Sequence, residues 1–289
     1  MTRVAAIDLG SNATRLLVAD VVGDQTTEIV RRTRITLLGE GVDVRKRLLP
    51  LPIARVRNVL ADYRREAEAL GAERVLAVAT SSVRDAENGE AFLGEVEWSY
   101  GFTTRLLTGD DEAAMTLRGV GPLEPGVVVT DIGGGSTEIA CAELRESMQI
   151  GCVRLTERHG ADLDAAAAAV RAALPELPFR VHTLLGVDGT TAEVAALRGI
   201  RELDAGDVEA ALRRLADATV AERRTLLFEP DRAGVIVMGA VILQELLRGL
   251  DATRAVVCDR DVLNGAVLEA ATLGAKPEGD APAGAHTCC

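Results

Sequence analysis

The sequence predicts an α/β protein built of two similar halves that face a cleft. Three observations carry this reading. Short apolar strand patterns alternate with helical patterns along the whole chain. A unit of strand, glycine turn and strand occurs twice. The composition, 48% hydrophobic and 26% charged over 289 residues with only 2% aromatic, is that of a globular chain with an aliphatic core.

The first half opens with strands at 4–7 and 15–22 around the turn Gly10-Ser11-Asn12, and a further strand at 28–38. Pro52 opens a helix to Leu70, with Ile53, Val56, Leu60, Tyr63, Ala67 and Leu70 spaced by three and four, and Gly71 stops it. A buried strand at 75–79, a helix capped by Asn88 and a strand at 103–107 follow. A helix at 110–117 carries acids in its first turn, where the helix dipole favours them.

The second half restarts with strands at 127–130 and 137–141 around Gly133-Gly134-Gly135. Helices are expected at 162–174, 190–197, 204–217, 220–227, 241–250 and 261–273, with strands at 184–187 and 255–258. The halves are placed at 1–117 and 118–274, and a disordered tail at 275–289, where Gly, Ala and Pro leave little to bury.

The repeat sets VAAIDLGSNATRLLVAD, from Val4, against VVVTDIGGGSTEIACAE, from Val127, so that Asp131 follows Asp8 by 123 residues. A single Asp-x-Gly turn is common hairpin chemistry. Two with matching flanks point to a duplicated half.

Several classes are excluded at this level. The N-terminus meets Asp8 too early for a signal peptide, and no apolar run is long enough to span a membrane. Cys141, Cys152, Cys258, Cys288 and Cys289 lack a metal-ligand rhythm, and their odd number opposes a disulfide framework. A reducing cytoplasm is therefore expected. The net charge of −12 argues against nucleic acid, and an anionic ligand would need local amides, arginines or a metal.

Such groups are present. Successive glycine amides form concave anion-binding nests. Gly133-Gly134-Gly135-Ser136-Thr137 has that composition. Gly10-Ser11-Asn12 is a weaker partner, and Gly189-Thr190, after Asp188, a third turn at a strand-to-helix junction. Neither a Walker loop nor a GxGxxG spacing is present. Asp8 and Asp131 occupy equivalent turn positions, and Mg²⁺ is commonly held by one or two carboxylates with waters and phosphate oxygens. Glu138 shares a strand face with Ser136 and reads either as a site acid or as a surface group. Asp110-Asp111-Glu112 reads either as chemistry or as a helix-start run, and Arg84 as a phosphate contact or a surface ion pair.

The segments AAIDLGSNATRLLVAD, ATSSVRDAENGEAFL, LLTGDDEAA, VVVTDIGGGSTEIA and GCVRLTERHG together resemble the exopolyphosphatase and guanosine-pentaphosphate phosphohydrolase (Ppx/GppA) family. The resemblance runs from Val4 to Leu273 and is to its short, two-domain, actinobacterial-type members. It implies two ribonuclease-H-like domains of the actin-like ATPase superfamily. It implies that Glu112 is the general base for water, and that Glu138 holds the water or a metal-bound phosphate. Asp131, with Asp8 as a weaker candidate, would assist Mg²⁺ or Mn²⁺. Gly133, Gly134, Gly135 and Ser136 would grip the terminal phosphate, with Arg84 and Asn12 as further contacts. Asp188 departs from the family loop and would either coordinate a metal or oppose long substrates.

The resulting expectation is an exopolyphosphatase that releases orthophosphate from inorganic, short-chain polyphosphate. Cleavage of pppGpp is the near alternative. A small-molecule kinase and a non-catalytic polyphosphate or nucleotide sensor are more distant ones, since fold does not fix function. A homodimer is left open.

Overall fold

The computed structural model describes residues 1–274, and the tail expected at 275–289 lies outside them. The chain forms two compact units. Met1–Thr108 makes the first, together with the segment that begins at Val262, and Gly109–Asp261 makes the second.

The first unit has strands β1 (Thr2–Leu9), β2 (Ala13–Val22), β3 (Gln25–Ile35), β4 (Arg74–Ala79) and β5 (Thr103–Leu106). Its helices are α1 (Val42–Arg45), α2 (Pro50–Ala69), α3 (Ser81–Arg84) and α4 (Gly89–Tyr100). The sheet order is β3-β2-β1-β4-β5. The first three strands are antiparallel neighbours, and β4 and β5 join in parallel. Helix α2 starts at Pro50, two residues before the expected Pro52, and buries Val56, Leu60, Tyr63 and Ala67 at helical spacing.

The second unit begins with α5 (Gly109–Val120), β6 (Val127–Ile132), β7 (Thr137–Ala140), β8 (Arg145–Met148), α6 (Cys152–His159) and α7 (Leu163–Ala173). It continues with β9 (Thr183–Gly186), α8 (Gly189–Arg198), β10 (Glu202–Leu203), α9 (Ala205–Asp217), α10 (Val220–Leu226), α11 (Ile236–Gly249) and β11 (Arg254–Val257). Its sheet order is β10-β11-β9-β6-β7-β8. Without the short edge strand β10, this is the order and the parallel–antiparallel pattern of the first unit. The duplication read from the hairpins therefore extends to whole sheets. Reciprocal capping boxes start α9 (Asp204 with Asp207) and α10 (Thr219 with Glu222).

The division falls elsewhere than the expected 1–117 and 118–274. Helix α5 packs on β7 and β8 of the second unit. The last helix, α12 (Val262–Ala270), returns to β1, β2 and β4 of the first. Leu263, Ala266, Val267 and Ala270 are fully buried there. Strand β8 and helix α6 were not expected, because RESM is short and polar and CVRLTERH carries three charges in eight residues. Helix α11 starts earlier than the expected residue 241, because its start is buried nearly all round and shows no period. Among the described residues no helix is long and apolar enough to cross a membrane.

Candidate active site

The two hairpins share one geometry. Each turn closes with a backbone bond over three residues, Gly10 N–H to Ala13 O at 3.1 Å and Gly133 N–H to Ser136 O at 3.0 Å. Each turn is also backed by a second glycine. A Cβ at Gly39 would strike Ser11, and one at Gly151 would strike the Gly134 carbonyl and the Gly135 amide.

In the second unit the carbonyls of the glycine turn are all engaged. Gly133 O accepts from Cys152 N–H at 2.9 Å, and Gly134 O from Val153 N–H at 2.9 Å and Arg154 N–H at 3.1 Å. Gly135 O accepts from Arg154 Nε at 2.6 Å. The open amides at the start of α6 are thereby capped by the turn itself. The amides of Gly134, Gly135 and Ser136 have no protein acceptor among the described residues. Carbonyls turned inward with amides left over is the arrangement an anion nest requires. Thr137 does not join them, because its hydroxyl donates to Ile150 O at 2.6 Å.

Glu138 is 3% exposed on β7, opposite Asp131 in the β6–β7 register. Two carboxylates thus sit across one strand pair. Ser147 on β8 donates to Glu138 Oε1 at 2.7 Å and orients it. Ser147 also packs on Gly109 so closely that a Cβ there would collide with it. Arg145, two residues earlier, donates to Asp110 at 2.8 Å. These contacts fix the start of α5 on β8, and so bring buried Glu112 into the unit that holds Glu138 and Asp131. Negative charge at a helix's first turn is favoured by the helix dipole. Sequence reasoning missed Ser147 and Arg145, whose signal is their two-residue spacing on one face of a short strand.

In the first unit, Asp8 faces Arg15 in the β1–β2 register, and Arg15 holds Asp8 Oδ2 through Nη2 at 2.7 Å and Nε at 2.9 Å. Ser11 Oγ shares a hydrogen bond with Ser81 Oγ at 2.9 Å, which joins the turn to α3 and Arg84. Arg84 Nη1 donates to Leu107 O at 2.7 Å. Asn12 is 5% exposed, and neither side-chain atom has a hydrogen-bond partner among the described residues. A buried amide in that state calls for a ligand or water.

At the third turn the structure separates the expected residues. Asp188 is the N-cap of α8, accepting Thr191 N–H at 2.8 Å and Thr191 Oγ1 at 2.9 Å. Both carboxylate oxygens are engaged at the helix start. Burial pushes its carboxyl above the usual range, against the pull of the Thr191 bonds and of Arg232. Thr190 is 1% exposed and lies against Gly239 of α11, turned into the core. Gly189 lies under the Arg232 guanidinium, where any Cβ would collide with it. Arg232 is 9% exposed and held by Glu229. It was missed because it lies far along the chain from the turn it covers.

Among the described residues no three His, Cys, Asp or Glu side chains gather as a metal cage. The Asp131–Glu138 pair fits Mg²⁺ or Mn²⁺ only in the manner of such ions with phosphates, where waters and substrate oxygens complete the shell. Cys141, Cys152 and Cys258 are free thiols, and burial pushes the Cys152 thiol up to about 11.

The profile of the Ppx/GppA phosphatase family matches residues 17–272. The chain is 35% identical to exopolyphosphatase 2 of Mycobacterium tuberculosis, over 94% of this chain and 99% of that one. The crystal structure of an exopolyphosphatase-like protein superposes with a TM-score of 0.83 at 28% identity, covering 93% of this chain and 98% of the other. The Aquifex aeolicus Ppx/GppA protein does so with 0.74 at 28% identity, covering 93% and 97%. With two like-ordered sheets, two glycine hairpins and a match over most of its length, the chain belongs to the Ppx/GppA phosphatase family.

Proposed function

We propose that the protein is an exopolyphosphatase, which hydrolyses the terminal phosphoanhydride of inorganic polyphosphate and releases orthophosphate. The observation that carries this is the second unit's combination of unengaged turn amides with Glu112, Asp131 and Glu138. Amides receive the charged terminal phosphate, and Glu112 takes the proton of the attacking water. Ser147 keeps Glu138 oriented toward water or phosphate. The first unit's own candidates for phosphate contact are Asn12 and Arg84. A bound Mg²⁺ would be held by Asp131 and Glu138 and would supply charge neutralisation. A kinase reading has no observation to favour it, and a sensor reading is opposed by the retention of both Glu112 and Glu138. The free thiols fit a reducing cytoplasm.

The test is orthophosphate release from tripolyphosphate, long polyphosphate, pppGpp and ATP, side by side with Mg²⁺ and with excess EDTA. Release from polyphosphate that EDTA abolishes is expected. Release from pppGpp alone would replace this reading with the guanosine-pentaphosphate one.

A further inference from the structure

The three carbonyls of the second unit's glycine turn are held in two different ways. Backbone amides of α6 hold the first two, Gly133 O by Cys152 N–H at 2.9 Å and Gly134 O by Val153 N–H at 2.9 Å and Arg154 N–H at 3.1 Å. Any residue other than proline supplies such a donor. A side chain holds the third, Gly135 O, through Arg154 Nε at 2.6 Å. There the residue type decides.

A trans peptide is planar, so its C=O and the following N–H point in opposite directions. Holding Gly133 O aims Gly134 N–H, holding Gly134 O aims Gly135 N–H, and holding Gly135 O aims Ser136 N–H. These are the three amides of the turn that have no protein acceptor among the described residues. Ser136 N–H therefore takes its direction from the Arg154 side chain. That side chain is itself fixed. Arg154 is 6% exposed, and its Nη2 donates to Gln149 Oε1 at 3.2 Å. Gly151 lets α6 approach the turn this closely, since a Cβ there would meet the Gly134 carbonyl and the Gly135 amide. The position is also an unfavourable one for a cation. Arg154 is the third residue of α6, in the first turn, where the helix dipole repels positive charge and burial removes it from water. The helix itself gains nothing from a cation there.

We propose that Arg154 is a positioning residue for the reaction: from behind the glycine turn it holds the Gly135 carbonyl and so aims Ser136 N–H at the phosphate. The proposal rests on the exopolyphosphatase reading, and every residue in it belongs to the second unit. A charged donor makes a shorter and stronger bond than a neutral one, and it polarises the peptide it holds. Ser136 N–H is thereby a better donor to the negative charge that develops as the phosphoanhydride breaks. Arg154 acts through the peptide and not by touching the phosphate.

The test is a pair of substitutions in the full chain, read by calorimetric binding of orthophosphate with Mg²⁺ and by kcat/KM on tripolyphosphate. Arg154→Gln places its amide nitrogen as many bonds from the backbone as Nε, and keeps the donor without the charge. Arg154→Met places a methyl group there and keeps neither. Well below both melting temperatures, Arg154→Met should weaken orthophosphate binding about tenfold and lower kcat/KM about 10–100-fold. Arg154→Gln should recover most of both losses, because a donor to Gly135 O is restored. Equal losses in the two variants would assign the effect to charge or direct contact. Unchanged binding and kcat/KM in a less stable Arg154→Met would assign it to packing. Either result overturns the proposal. If Arg154→Met does not fold, Arg154→Lys takes its place, because it keeps the charge and puts a methylene where Nε stands. Weaker binding by Arg154→Lys than by Arg154→Gln supports the proposal, and equal or tighter binding overturns it. If the wild type cleaves no polyphosphate, the functional reading fails by itself, and the order of the variants in orthophosphate binding then decides the role of Arg154. A wild type that binds no orthophosphate overturns both.

Discussion

The two hairpins are one device with opposite charge. Asp8 and Asp131 occupy the same register position, and both turns close with the same three-residue bond. Across the ladder, however, Asp8 meets Arg15, and Asp131 meets Glu138. Directly opposed strand residues interact strongly, and like charges there are unfavourable unless something else compensates. The first unit neutralises its aspartate within the protein. The second sets two carboxylates opposite each other, beside amides that have no protein acceptor among the described residues. The two hairpins therefore differ in charge at one and the same register position.

Glu112→Gln probes the chemical end of this contrast, because only the second unit presents such an acid from α5. Turnover should fall by about 10²–10⁴-fold while KM and melting temperature hold. Near-normal turnover in the folded variant would remove Glu112 from the mechanism. The aspartates themselves test the contrast more sharply. Asp131→Asn should raise the Mg²⁺ concentration for half-maximal activity about tenfold or more. Asp8→Asn should leave that requirement in place, and lower thermal stability by unbalancing Arg15. Equal shifts in Mg²⁺ dependence would erase the distinction between the hairpins.

The supporting glycines come next in size. Gly151→Ala forces a methyl group into the Gly134–Gly135 backbone and should cost about 1–3 kcal/mol by denaturant titration. Gly39→Ala should cost less, because its nearest contact is the Ser11 side chain at 2.8 Å. A silent Gly151→Ala would mean that the second turn yields readily.

The smallest effect concerns Asp188. Its folded-state pKa lies above the ordinary value of 3.8, so the favourable protonated form is lost as pH rises through the folded value. Asp188→Asn keeps a cap acceptor and has no charge to bury. Its stability relative to wild type should therefore climb with pH above 3.8, read as melting temperature across a pH series. A constant difference would show that the Thr191 bonds and Arg232 fully offset burial.

The hairpins were legible in the sequence because glycine-turn chemistry is local, and 123 residues of separation do not disguise it. The exchange of Arg15 for Glu138 was also present in the aligned repeat, but it has meaning only once register places each opposite its aspartate. Arg232 had no local signature. Its trace in the sequence is the glycine at 189, which could equally have served a turn. Strand β8 was hidden by its polarity, and with it the Ser147 and Arg145 contacts that fix α5. The assignment of α12 to the first unit depends on packing against β1, β2 and β4, which no window of sequence contains.

That last helix also orders events in time. During synthesis the second unit, Gly109–Asp261, emerges as one uninterrupted stretch, complete before α12 exists. The first unit is begun earlier and closed later. Until Val262–Ala270 leave the ribosome, the face of β1, β2 and β4 on which α12 packs lacks this helix. The first unit is thus begun before the second and has its sequence completed after it. A nascent chain paused just short of α12 would leave those strands without the apolar residues Leu263, Ala266 and Val267.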